Sequence, residues 1–211
     1  MAYVIGILLM AGVIIFMYFS HQSGFMAGLD QQLSGFAATI PSFVGTIAEI
    51  ITWAGNWQVM VGLGLILAII AFMRQGASSM VFVALSLVGL LVLIYGIKFG
   101  VGRPRPELAQ LVEVAGYSFP SAHAAFSMGF YTFCAFYLSE RHRSLWLTLA
   151  IILALLIGIS RIILGVHYLS DVLAGWALGI GWLLILLLFF RRWFGDGPAY
   201  TGKISSLNFP Y

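Results

Sequence analysis

Charge is scarce in this sequence: ten Lys or Arg and seven Asp or Glu make up only 8% of 211 residues. Soluble domains carry roughly a quarter charged residues, so a surface wetted on all sides is excluded. Cysteine is nearly absent as well. The single Cys134 rules out an intramolecular disulfide and any metal site built on several thiolates. Lying inside an apolar run, it reads as a buried, inert thiol. No H-E-x-x-H motif and no run of carboxylates is present, so no metal and no cofactor is expected. The repeated alternation of a membrane β-barrel is missing too.

Apolar residues fill the space that charge leaves. They make up 62% of the chain, at a mean hydropathy of +1.03. Their runs are continuous, which favours helices that satisfy their own backbones in lipid. A bilayer core of about 30 Å takes about 20 residues per helix, and six spans are predicted, at roughly 2–20, 58–73, 79–97, 123–139, 146–163 and 169–190. The fold class is therefore all-α, a six-transmembrane-helix bundle in one domain over 1–194. The first span lacks a basic leader and a clear cleavage site, and reads as a retained helix. Residues 195–211, polar and rich in Gly and Ser, form a cytoplasmic tail.

Between the first two spans, Phe25, Leu29, Leu33, Phe36 and Ile40 recur at helical spacing; Pro41 interrupts, and Phe43, Ile47, Ile50 and Ile51 follow. One or two short amphipathic helices on the outer face are expected here. Trp53 and Trp57 come next, as interfacial anchors or as the wall of a lid over a lipid ligand.

The charges are sorted by side. Arg74, Arg141, Arg143, Arg191, Arg192 and Lys203 fall on one side of the six-span plan, which makes that side, and both termini, cytoplasmic. Lys98, Arg103, Arg105 and Arg161 fall on the other side, against the rule. Outer-facing cations close together call for an anion, and phosphate suits Arg forks and Lys ammonium groups.

Residues 146–190 as one helix would run about 67 Å at 1.5 Å per residue, so the chain must reverse within them. The polar block "SRIILGVHYLSD" (160–171) is the place, with Gly165 giving backbone freedom. Ser160 and Arg161 then close the fifth span and His167 opens the sixth. Asp171, four residues on, shares a helix face with His167 and can hold one imidazole nitrogen, leaving the other basic. "YSFPSAHAAFS" (117–127) opens the fourth span. Ser121 and the first backbone N–H groups there make an anion-binding helix end, and His123 lies in the first turn. One His backed by Asp can attack phosphorus while the other protonates the departing oxygen.

These blocks resemble the signature of the type 2 phosphatidic acid phosphatase (PAP2) superfamily: K-x6-RP, PSGH and SR-x5-H-x3-D. Here they stand as Lys98 to Arg105-Pro106, Pro120-Ser121-Ala122-His123, and Ser160-Arg161, His167 and Asp171. The resemblance implies a phosphohistidine at His167, oriented by Asp171, with His123 protonating the leaving group. It implies that Lys98, Arg105, Ser121, Ala122 and Arg161 hold the phosphoryl oxygens, Ala122 through its backbone N–H. Ala122 replaces the family's usual Gly, at small cost unless the site demands positive φ. Arg103 and Ser160 take auxiliary places, with Arg103 open between a second phosphate, a lipid headgroup and water.

The implied activity is metal-independent hydrolysis of a lipid phosphate or diphosphate at the outer face of a cytoplasmic (inner) membrane. Undecaprenyl diphosphate, phosphatidylglycerol phosphate and phosphatidate are the family's natural substrates. The alternatives are a phosphotransferase sharing the same first step, or a transporter, which would show broken or polar helices at mid-membrane in repeated halves. Partners are the lipid phosphate and membrane lipids, with no nucleic acid; oligomeric state is left open.

Overall fold

The computed structural model describes residues 2–22, 24–107, 110–138 and 142–194; the expected tail 195–211 lies outside them. Every regular element among these residues is helical: α1 (Ala2–Gln22), α2 (Ala27–Ala37), α3 (Ser42–Trp53), α4 (Trp57–Gln75), α5 (Ala77–Val101), α6 (Ala122–Phe126), α7 (Thr132–Leu138), α8 (Arg143–Ile163) and α9 (Leu169–Phe194). A π-helical turn, Ser127–Tyr131, joins α6 to α7. Among the described residues, four segments are long and apolar enough to cross a membrane: Ser42–Met73, Ala77–Val101, Arg143–Ile163 and Leu169–Phe189. The chain is a multi-pass membrane protein.

Two boundaries differ from the sequence reading. The apolar stretch expected to start at 58 starts at Ser42, because α3 carries the run across the turn at 54–56 into α4. The predicted span 123–139 is not one of the four: residues 122–138 are divided among α6, the π turn and α7. Insertions of this kind occur often at functional sites. Cys134 is half-buried rather than buried, beside a cavity lined by Tyr131, Trp146 and Leu153.

The short helices α2 and α3 form as the periodicity predicts, but their apolar stripes face outward. Phe25, Leu29, Phe36, Phe43, Ile47 and Ile50 are exposed, while α2 buries Asp30, Ser34 and Ala37 and α3 buries Gly45, Ala48 and Thr52. In lipid the solvent is apolar, so a helix turns its polar and small residues toward protein. Both helices therefore rest on α8 rather than only on the outer surface, and α2 also touches α9.

α1 runs along α9, α4 and α5 pair as a hairpin, and α6 with the π turn lies across α9 and α8. The core joins Met60 and Leu67 of α4, Phe82, Leu90 and Ile94 of α5, Phe126, Phe130 and Phe133, and Leu178 of α9. The contact between α6 and α9 is a backbone contact. A Cβ at Gly175 would lie 2.6 Å from the Ser121 carbonyl oxygen, and one at Gly179 would lie 2.4 Å from that of Ala125. Gly175 and Gly179 form a G-x-x-x-G stripe, the pattern that lets membrane helices approach closely. This approach brings the beginnings of α6 and α9 together, and the Ser121 N–H donates to the Asp171 carbonyl at 3.0 Å.

Candidate active site

The loop after α5 and the turn between α8 and α9 meet at the start of α6. Gly102 ends α5 in the left-handed region at φ 63°, and Gly165 turns the chain after α8 at φ 68°. Both are conformations that glycine adopts at no steric cost. The loops enclose a cavity of about 310 Å³ whose walls include Lys98, Arg105, Ala122, His123, Arg161 and His167. Six of the predicted residues thus surround one space.

His167 lies in the turn, two residues before α9 begins, so it does not share a helix face with Asp171. The pairing survives by another route. Asp171, in the first turn of α9, reaches back: its Oδ2 accepts the Tyr168 N–H at 2.9 Å and lies 3.4 Å from His167 Nδ1. The Ser118 hydroxyl donates to the same Oδ2, with its oxygen 3.4 Å from Nδ1. Nδ1 therefore faces two acceptors and carries the proton. Nε2 faces a donor, Arg105 Nη1 at 3.2 Å, and presents its lone pair. Burial lowers the His167 pKa from its ordinary 6.5 to about 3; Asp171 opposes this, and Arg105 and Arg161 add to it. A pKa depressed in the fold makes protonation costly there, so His167 stabilises the fold above about pH 6.5 and loses that contribution as pH falls toward 3. At neutral pH the imidazole is uncharged.

Each cation is held by fixed acceptors. Lys98 Nζ donates to the carbonyls of Tyr117 at 2.7 Å and Ser118 at 3.2 Å. Arg105 spans the mouth: its Nε donates to the Gly116 carbonyl at 2.9 Å and its Nη1 to that of Val166 at 2.8 Å. Partial burial lowers its pKa below the ordinary guanidinium value, and the Asp171 carboxylate opposes that shift. Arg161 Nη1 donates to Thr52 Oγ1 at 2.9 Å, while its buried Nε has no partner among the described residues. His123 Nε2 donates to Asn56 Oδ1 at 2.9 Å. Ala122 occupies the first position of α6 and is helical, so its methyl meets no positive-φ penalty.

Two assignments need correction. Arg103, left open between a second phosphate, a headgroup and water, is paired within the protein. It is buried, with Nη1 donating to Asp171 Oδ1 at 2.6 Å and Nη2 to Asp30 Oδ2 at 3.0 Å. Its anions are the protein's own carboxylates. Ser160 is turned into its own helix, donating to the Ile157 carbonyl at 2.6 Å. Ser121 stands at the N-cap of α6, but its side chain makes no cap hydrogen bond, and its Oγ is buried without a partner among the described residues.

Asp30, Thr52, Asn56 and Ser118 were missed. Asp30 carried a visible signal, a lone charge on an apolar helix. Ser118 lay inside the "YSFPSAHAAFS" block.

With this geometry in view, the comparisons with known proteins agree. The PAP2 superfamily profile matches residues 77–194. This chain belongs to the PAP2 superfamily. Phosphatidylglycerophosphatase B of Bacillus subtilis (strain 168) is 38% identical over 100 residues, 44% of this chain and 46% of that protein. The chain thus spans about half the length of that curated relative. Among solved structures, a transmembrane PAP2-type phosphatidylglycerolphosphate phosphatase from Bacillus subtilis superposes with a TM-score of 0.83 at 24% identity, over 89% of this chain and 96% of that one. Aquifex aeolicus LpxE superposes at 0.62 and 23% identity, over 76% and 95%. These two likenesses establish the fold.

Proposed function

We propose that this chain is a metal-independent lipid phosphatase that works through a phosphohistidine at His167. The observation that carries this reading is one cavity in which a neutral imidazole, backed at Nδ1 by Asp171 and Ser118, presents Nε2 among Lys98, Arg105 and Arg161. Nε2 attacks phosphorus and the phosphorus–oxygen bond to the leaving group breaks. His123, oriented by the hydrogen bond its Nε2–H gives Asn56, acts in its doubly protonated form and passes its other ring proton to the departing oxygen. Water then attacks phosphorus while giving a proton to His123, and the phosphorus–nitrogen bond breaks, returning its electron pair to His167 Nε2 and releasing phosphate. The cations balance charge on the equatorial oxygens throughout, and the Ala122 N–H and Ser121 support the same anion.

The substrate carries apolar tails. Leu91, Tyr95 and Phe99 lie one helical turn apart on α5 and, with Trp57 and Phe126, form the apolar side of the cavity. All but Phe126 are substantially exposed on the lipid-facing surface, so a headgroup can sit among the cations while its chains stay in the bilayer. Trp57 is then a wall of the site as well as an anchor. The names of the relatives make a phosphatidylglycerol phosphate the first substrate to test, ahead of undecaprenyl diphosphate and phosphatidate. Phosphate release from this panel should continue in EDTA, because cations occupy the place of a metal and no group of three His, Cys, Asp or Glu suited to a metal occurs among the described residues. Strict dependence on added Mg²⁺ would overturn the mechanism.

We read residues 1–194 as one six-span domain in the cytoplasmic (inner) membrane, with α1 and the α6–α7 segment as the two further crossings. Both termini are then cytoplasmic, and 98–122 and 164–168 face outside. In a Cys134→Ser background, His142→Cys should react with an impermeant thiol reagent only after the cells are opened. Labelling of intact cells would reverse the orientation.

A further inference from the structure

Behind the proposed nucleophile lies a buried charge triad that the reaction steps above do not use. Asp30 and Asp171 are 1% and 0% exposed, and the Arg103 guanidinium bridges them. Ser170 ties Arg103 to Asp30 a second time. Its hydroxyl accepts from Arg103 Nη1 at 2.8 Å and donates to Asp30 Oδ2 at 2.6 Å, while its N–H donates to Asp30 Oδ1 at 3.1 Å. The Tyr168 ring covers the guanidinium at 4.0 Å. A triad of this kind is costly to bury and is a weak source of stability by itself. Its position, ending on the carboxylate that touches His167, suggests what it does.

We propose that Arg103 and Asp30 are positioning residues that lock the orientation and the charge of Asp171, an inference that rests on the phosphohistidine reading. Asp171 Oδ2 serves the imidazole, Ser118 and the Tyr168 N–H, while Oδ1 is anchored by Arg103. Without that anchor the carboxylate can rotate, Oδ2 leaves Nδ1, and the imidazole is free to adopt the other tautomer. Arg103 alone, however, would neutralise Asp171 and weaken it as a partner for an imidazole that becomes cationic on phosphorylation. Asp30 takes up part of the guanidinium's charge, so the three groups together carry one net negative charge. Asp30 also accepts an N–H at the start of α9, where a carboxylate is favoured. The short helix α2 is thereby fastened to the catalytic pair from behind.

The test is non-additivity. Asp30→Asn, Arg103→Gln and the charge-neutral double variant are made in the native chain and in an Asp171→Asn background. Turnover of p-nitrophenyl phosphate and thermal stability are measured in detergent. If the two residues act through Asp171, each single change should lower kcat about 10–100-fold in the native background, with KM within about threefold, and less than about threefold further beside Asp171→Asn. Equal proportional losses in both backgrounds, or losses that track melting temperature, would reduce the triad to a structural one. The double variant retains neutral hydrogen-bonding side chains and guards against simple misfolding. Imidazole ¹⁵N shifts provide a readout independent of activity: His167 should be a single Nδ1–H tautomer in the native chain and a mixture in Arg103→Gln. An unchanged tautomer overturns the inference. Absence of His167-dependent turnover in the native chain overturns the phosphohistidine reading instead.

Discussion

Replacing His167 by alanine is expected to abolish turnover on every substrate, because the covalent step loses its nucleophile. His123→Ala is expected to be selective. Its proton matters in proportion to the basicity of the departing oxygen. An alkoxide leaving a phosphate monoester needs that proton badly. A nitrophenolate, or the lipid monophosphate leaving a diphosphate, needs it less. His123→Ala should therefore retain measurably more of the native activity on p-nitrophenyl phosphate than on phosphatidate. Asp171→Asn should fall between the two, since the imidazole remains while its tautomer is no longer enforced. The quantity to compare is kcat/KM for each variant on both substrates at one pH. Uniform impairment of His123→Ala, together with residual turnover of His167→Ala on the activated ester, would exchange the two roles.

The second large effect belongs to Arg161. Its Nη1 is committed to Thr52 and the residue lines the cavity, while its Nε is buried without a partner among the described residues. A charged donor held in this way, out of water and free to meet a phosphoryl oxygen, is worth more in the transition state than an exposed one. Arg161→Ala should lower kcat/KM by about 10²–10³-fold or more, the loss seen when one preorganised donor is removed. Arg161→Lys should recover little, because an ammonium cannot hold Thr52 and the phosphate together in the guanidinium's plane. Arg105→Ala should cost a comparable amount for a mixed reason, since it also releases the Gly116 and Val166 carbonyls that shape the mouth. Ser160→Ala is the control, its hydroxyl being spent on Ile157. A loss at Ser160 equal to that at Arg161 would place the phosphate elsewhere.

The cavity residues were legible because their spacing is local. Lys98 and Arg105 share one helix end and its loop, and Arg161, His167 and Asp171 share one reversal, so counting along the chain brought them together. The residues that hold them were not legible. Asn56 meets His123 across 67 positions, Thr52 meets Arg161 across 109, and Asp30 meets Ser170 across 140. Each arrives on a different helix, and single polar residues at such distances leave no pattern. The periodicity around Asp30 also pointed the wrong way for an ordinary core. Phe25, Leu29 and Phe36 mark a lipid-facing stripe, so the residue off that stripe was the interior one. Arg103 shows the same limit from the other side. Its neighbours along the chain, Lys98 and Arg105, face the cavity, and only the fold shows that it points the opposite way, toward Asp30.

The bare seam between α6 and α9 has a consequence for how this site can change over evolutionary time. Gly175 and Gly179 meet the backbone of Ser121 and Ala125 directly, with only the Ala124 methyl beside them, so no side-chain rotamer there can absorb a shift. The seam acts as a fixed gauge that sets the separation between the segment carrying His123 and the one beginning just after His167. A descendant acting on a bulkier headgroup has no slack on that wall. Its freedom lies opposite, in Leu91, Tyr95 and Phe99 on α5, three side chains that can be trimmed one at a time without moving either histidine.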